Sequence, residues 1–404
     1  MRSTSGGRLS LAAVVFVTLA LGPSAIAQKQ YSPGASDTEI KIGNTVPYSG
    51  PASAYGTAGR TEAAYFRMIN DQGGINGRKI TFISLDDGYS PPKAVEQVRR
   101  LVEQDEVLLV FNSVGTPSNT AIQQYMNAKK VPQLFVGSGA TKWGDPEHFP
   151  WTMGLQPSYQ TEAKIYVKYL LKMKPDAKIG ILYQNDDYGK DYLKGIKDGL
   201  GDKAAKMIVS EVSYEVTDPT VDSQITTLKG SGADVFFNIT TPKFAAMAIR
   251  KVYDIDWHPL HFLNNVSNSV GAVLTPAGLE KSVGLITVGY TKDPTDPYFD
   301  DDPGMRDWRA FMANYYPEGD IRDGLNVNAY NSAETLVQVL RQCADDLTRE
   351  NVMRQASNLK DFHTKLLRSG IVINTTTTDW HPIKQMQLLK FDGQHWAVFG
   401  DVIG

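Results

Sequence analysis

One cysteine, Cys343, stands in 404 residues, so no disulfide can form within the chain and stability must come from a buried core. Cys343 sits in the apolar-periodic stretch 329–347, where a packing thiol is expected rather than a reactive one. Histidine is scarce, at six residues, and no spacing of His, Cys and carboxylates resembles a metal site. No metal ligand and no cofactor is expected. The signatures of catalysis are absent as well. There is no G-x-S-x-G elbow, no H-E-x-x-H, no G-x-x-x-x-G-K-[ST] and no G-x-G-x-x-G. Gly137-Ser-Gly-Ala-Thr-Lys142 comes nearest to the last but lacks its third glycine. Asp300-Asp301-Asp302 lacks the glycine and closing glutamate of a calcium loop. Asp86-Asp87 follows a strand, where aspartate usually caps a turn. No catalytic residue is assigned, and an enzyme is not expected. A hydrolase would need a nucleophile–base pair that this sequence does not display.

Long apolar runs are missing too, except near the start. Arg2 and Arg8 flank the beginning of the run Leu9–Leu21, which Gly22-Pro23 breaks before Ala25-Ile26-Ala27. The run falls short of the ~20 residues that span a bilayer. Positive start, short apolar run and small-x-small ending together read as an export signal over residues 1–27, with an exported mature chain from Gln28. Two of the 41 basic residues lie in that segment, leaving 39 against 44 acidic ones, a formal charge of −5. That balance offers no surface for nucleic acid.

What remains is rich in alternation. Short apolar runs at 40–44, 79–85, 107–111 and 133–136 read as strands, with helices over 53–70, 92–104 and 117–128 between them. After a break near 155–158 the pattern returns, with strands at 178–183, 206–213, 234–239 and 260–263 and helices over 161–171, 188–200, 221–229 and 242–253. Two such series predict two α/β lobes with mostly parallel sheets, because long crossovers force parallel pairing. The last third is less regular. It reads as a strand at 283–288, a loop at 291–303, helices over 306–316, 329–347 and 358–367, and a closing hairpin at 385–391 and 396–399.

Ligands in such folds collect at the carboxyl ends of strands, and there the loops share a chemistry. Tyr48-Ser49-Gly50 follows the first strand. Asn112-Ser-Val-Gly115-Thr116-Pro117-Ser118 follows the third, with Thr116 and Pro117 in the order of an N-cap and first helical position. Gly137-Ser-Gly139-Ala140-Thr141-Lys-Trp143 follows the fourth. Small residues, hydroxyls and a helix N-terminus recur, which together predict a nest for one small anion.

These stretches resemble a family. "IKIGNTVPYSGPASAYG", "INDQGGINGRKI", "LDDGYSPPKAVEQVRRLV" and "ILYQNDDYGKDYLKGIKDGL" are similar to periplasmic substrate-binding proteins of ABC transporters of the branched-chain-amino-acid type, type I. The resemblance implies two lobes, 28–156 plus 289–370 and 157–288 plus 371–404, joined by three crossovers and closing on a ligand. It implies a periplasmic monomer that delivers its ligand to an inner-membrane permease. By position it implies a carboxylate held near Gly115-Thr116-Pro117 and Gly139-Ala140-Thr141, an aromatic wall at Tyr55, and Tyr188 closing from the second lobe. Members that bind amino acids place an acidic residue after the strand matching 261–263, against the ligand ammonium. This chain has Asn264-Asn265 there, and Thr240-Thr241 where such members often carry aromatics. A buried ammonium without a counter-charge costs several kcal/mol. "SVGTPSN" and "GATKWGDPEHFPWTMG" are similar to a subgroup associated with aromatic carboxylates. The expectation is therefore capture of a small aromatic acid, with Tyr48, Tyr55, Trp143 and Tyr188 as ring contacts. A branched-chain amino acid or amide is the alternative ligand.

Overall fold

The computed structural model describes residues 1–4, 6 and 29–404, so most of the segment read as an export signal lies outside the described residues. The chain begins with β1 (Gln30–Tyr31), β2 (Glu39–Val46), α1 (Gly56–Asp71), β3 (Lys79–Asp86) and α2 (Pro91–Glu103). It continues through β4 (Leu109–Phe111), α3 (Thr116–Lys129), β5 (Gln133–Val136) and β6 (Thr152–Gly154). Strands β2 to β6 form one parallel sheet in the order β3-β2-β4-β5-β6. Helix α2 shows how the pattern becomes structure. Prolines open it where no intrahelical N–H is needed, and Ala94, Val98 and Leu101 bury one stripe.

The second series runs α4 (Tyr159–Met173), β7 (Ile179–Gln184), α5 (Asp187–Leu200), α6 (Ala204–Met207) and β8 (Ile208–Tyr214). It is followed by α7 (Asp222–Gly230), β9 (Val235–Ile239), α8 (Pro242–Asp254), β10 (Leu260–Leu263), α9 (Thr275–Ala277) and β11 (Ile286–Gly289). Then come α10 (Pro303–Tyr315), α11 (Gly324–Cys343), β12 (Asp346–Leu347), α12 (Arg349–Ala356), β13 (Met386–Phe391) and β14 (Trp396–Ile403). The second sheet has the order β14-β13-β11-β10-β9-β7-β8, parallel except for the closing hairpin. Chain direction changes lobe late: α10 and α11 pack on α1 of the first lobe, while β13 and β14 return to the second sheet.

Two expectations need correction. The stretch 358–367 is not a helix; the helix lies earlier, at α12, and the later segment is an irregular crossover pinned by the bridges Phe362–Ile373 and Thr291–Leu367. Thr348 caps α12 by accepting from the Asn351 N–H, which starts the helix nine residues sooner than apolar spacing suggested. The helix read over 329–347 starts at Gly324 and ends at Cys343, because Ala344 turns to φ 50° and the chain then pairs β12 with β1. β6 escaped the sequence reading because three residues are too few to show alternation. Cys343 is buried, and burial pushes its thiol up to about 12. Among the described residues no helix is long and apolar enough to cross a membrane.

Candidate functional site

The loops at the carboxyl ends of both sheets meet around a cavity between the lobes. From the first lobe come Tyr55, Tyr89, Asn112, Gly115, Thr116 and Gly137; from the second, Tyr159, Tyr188, Thr241 and Asn265. Tyr290, on a crossover, and Leu325, Asn328 and Ser332, on α11, complete the wall. The space open to a water centre is ≈ 60 Å³. That suits a compact ligand. No lining residue carries a charged side chain.

Five tyrosines dominate the wall, all buried. Burial raises the hydroxyls of Tyr55, Tyr89 and Tyr188 well above their ordinary value, and pushes Tyr159 up to about 12, so all stay neutral donors or acceptors. Small residues seat these rings. A Cβ on Gly115, which has φ 107°, would stand 2.6 Å from the Tyr89 ring, and one on Gly139 would stand 2.6 Å from that of Tyr159. The recurrent glycines of the post-strand loops thus make room for aromatics. Tyr159 in turn stacks on Tyr192 at 4.5 Å and meets Tyr188 edge-on at 5.4 Å. Tyr188 is placed by the cap of α5, where Asp186 accepts from the N–H groups of Tyr188 and Gly189.

Gly115 is the N-cap of α3 and Thr116 its first residue, so the positive end of that helix faces the cavity with its leading N–H groups free of intrahelical partners. The Thr116 and Ser138 hydroxyls are 2.7 Å apart, and Ser138 also accepts from the Trp143 indole at 2.9 Å.

The other polar end is neutral at first contact but acidic behind. Glu162, fully buried on α4, accepts from the N–H and Nδ2 of Asn265 at 2.8 and 2.5 Å and from the Tyr166 hydroxyl at 2.8 Å. Burial pushes its carboxyl up to about 7, against those hydrogen bonds. Glu62 on α1 is its counterpart in the first lobe, buried beside Asn112 and raised well above the ordinary glutamate range by burial.

Of the residues expected from sequence, Tyr55, Gly115, Thr116, Tyr188, Thr241 and Asn265 border this cavity, and the others do not. Tyr48 is turned to Ser84, 2.6 Å away. The Tyr48-Ser49-Gly50 loop holds a carboxylate of the protein's own: Asp86 accepts from Ser49 N–H at 3.1 Å and Oγ at 2.6 Å, with Lys93 at 2.8 Å. Those bonds and the cation keep Asp86 ionised well below the usual range despite partial burial. Pro117 and Ser118 continue α3. Gly139 and Ala140 underlie Tyr159 and Trp143. Thr141 gives its N–H and hydroxyl to Asp191 of the second lobe. Thr240 donates to Asn238 at 2.6 Å, and Asn264 lies behind Tyr188, its Nδ2 donating to the Tyr188 oxygen. The single anion nest expected of three loops is thus divided: the loop into α3 and Gly137 reach the cavity, and the hydroxyls of Ser49 and Thr141 are held elsewhere.

Sequence reasoning missed Tyr89, Asn112, Tyr159, Tyr290, Glu162 and the α11 face. Tyr89 closes "LDDGY" right after a strand and was findable by position. Glu162 and the α11 residues come from helices, and no local signal sends them inward.

Two α/β lobes with an uncharged cavity between them form a frame suited to holding a small ligand. Residues 39–395 match the periplasmic binding protein family, and the chain belongs to it. It is 23% identical over 334 residues to the Leu/Ile/Val-binding protein homolog 7 of Brucella abortus, covering 78% of this chain and 80% of that one. It is 27% identical over 308 residues to the amino acid binding protein of Pseudomonas aeruginosa, covering 74% and 77%. Among solved structures, a branched-chain amino acid ABC transporter protein from Thermus thermophilus with bound valine superposes with TM-score 0.82 at 14% identity, over 91% of this chain and 96% of that one. A fatty acid ABC transporter substrate-binding protein from Thermomonospora curvata gives 0.77 at 21% identity, over 93% and 95%. Membership of the periplasmic binding protein family implies an extracytoplasmic location.

Proposed function

We propose that this protein captures a small aromatic carboxylate between its lobes and delivers it to an ABC permease in the inner membrane. The observation that carries the reading is a compact cavity with no charged side chain on its wall, with the start of α3 at one side. Helix N–H groups and the Thr116 hydroxyl serve a carboxylate. Neutral tyrosine faces serve a ring. An ammonium would find no counter-charge at the wall, and a penalty of about 3 kcal/mol corresponds to roughly a hundredfold in affinity. Export after cleavage behind Ala27 places the mature chain where such a ligand would be met.

Glu162 supports a second reading, an amino acid whose ammonium points at Asn265 with the glutamate behind it. Calorimetry on one preparation with leucine, isoleucine, benzoate and coumarate separates the two. At least a hundredfold preference for an aromatic acid over leucine is expected, and tight leucine binding beside undetectable acids overturns the proposal.

A further inference from the structure

Two buried glutamates stand behind the cavity, one per lobe, and each holds the side-chain amide of a residue on its wall. Glu62 takes Nδ2 of Asn112, and Glu162 takes Nδ2 and the backbone N–H of Asn265. In these bonds each carboxyl accepts, so each amide directs its NH2 group backward and keeps its Oδ1 for other partners. At Asn265 the backbone oxygen is already used by the Asn268 N–H at 3.2 Å. No described residue donates to Asn265 Oδ1, although the side chain borders the cavity.

Tyr188 is fixed in the opposite sense. Its oxygen receives Nδ2 of Asn264, and that same NH2 group is anchored a second time on the Thr240 carbonyl at 3.2 Å. With its oxygen accepting, the Tyr188 hydroxyl has its proton to give away. The second-lobe wall therefore carries a fixed acceptor and a fixed donor. A phenolic hydroxyl can donate to the first and accept from the second. An ammonium can only donate, and an unsubstituted ring can do neither.

We infer that the second lobe reads a hydroxyl on the ligand through Asn265 Oδ1 and the Tyr188 O–H, with Glu162 positioning Asn265, so that the ligand class is a hydroxylated aromatic acid rather than the bare acid. The inference rests on the carboxylate reading given above. A wall built to hydrogen-bond a hydroxyl rejects the analogue lacking it, because its own buried polar groups are then left unpaired.

The test compares matched pairs by calorimetry: 4-hydroxybenzoate against benzoate, and 4-hydroxycinnamate against cinnamate. The wild-type protein should favour the hydroxylated member of the pair it binds by about tenfold or more. Glu162→Gln lets the new amide donate to Asn265 Oδ1 and turn it round, and should collapse that ratio toward one; Asn265→Leu should do the same. A purely structural role for Glu162 would lower both affinities and leave the ratio standing. Equal wild-type affinities within a bound pair overturn the inference while leaving the carboxylate reading intact. Binding of neither member of either pair overturns both. If Glu162→Gln does not fold, the wild-type ratio and Asn265→Leu decide.

Discussion

Thr141 gives both its N–H and its hydroxyl to one oxygen of Asp191, at 2.8 and 2.9 Å, across the boundary between the lobes. The next residue, Lys142, reaches Asp187 at 2.6 Å, and Asp187 lies four residues before Asp191 on α5. One turn of a second-lobe helix thus clasps one turn of the first lobe. Asp191→Ala should loosen the closed form without touching the ligand. The expected outcome is a larger radius of gyration at saturating ligand and about tenfold weaker binding, as for a charge-assisted hydrogen bond of roughly 1.5–3 kcal/mol. Small-angle scattering that matches wild type would count against the clasp.

Thr116 and Thr141 should therefore fail differently. Thr116→Val removes a hydroxyl at the cavity wall and should weaken an acid ligand by about 1–3 kcal/mol, with closure unchanged. Thr141→Val should weaken binding together with closure. Parallel scattering and calorimetry on both variants check the distinction, and identical behaviour would contradict it.

Stability should fall as pH rises toward neutrality because of Glu162. Burial lifts its carboxyl from 4.5 to about 7. Between those values the folded protein keeps a proton that the unfolded chain has released, so folding loses free energy through that window and levels off above it. The loss amounts to about 3 kcal/mol at most. Melting curves from pH 4.5 to 8 should show Glu162→Gln gaining on wild type as pH rises. Parallel profiles would mean that Glu162 ionises freely in the fold.

The Cys343 thiol, buried and raised to about 12, should resist alkylation in the native state and react on unfolding. Labelling with iodoacetamide and intact-mass measurement reads this directly. Fast native labelling would show that α11 opens.

N-terminal sequencing of exported protein should begin at Gln28. A Met1 start in the periplasmic fraction would refute cleavage behind Ala27.

Local pattern carried most of the secondary structure. The Ala94-Val98-Leu101 stripe, the β10 run and the Asp186 cap before Tyr188 are all readable because each depends on residues within one helical turn or one strand. Strand–helix alternation carried the two α/β lobes, and motif resemblance carried the family. The 358–367 segment was misread because apolar spacing alone cannot tell a helix from a crossover held by bridges to distant strands.

The sequence by itself determined that post-strand loops with glycines, hydroxyls and a helix start would face one cleft, since parallel strands put all their carboxyl ends on one side. Only the tertiary structure decided which of those groups remain available. Ser49 is taken by Asp86, and Thr141 by Asp191, fifty residues away on the other lobe. Tyr159 comes from the start of α4, and Glu162 reaches Asn265 over 103 positions of sequence. A hydroxyl's type is written in the chain, but its partner is set by whichever buried acceptor the packed lobes bring within about 3 Å.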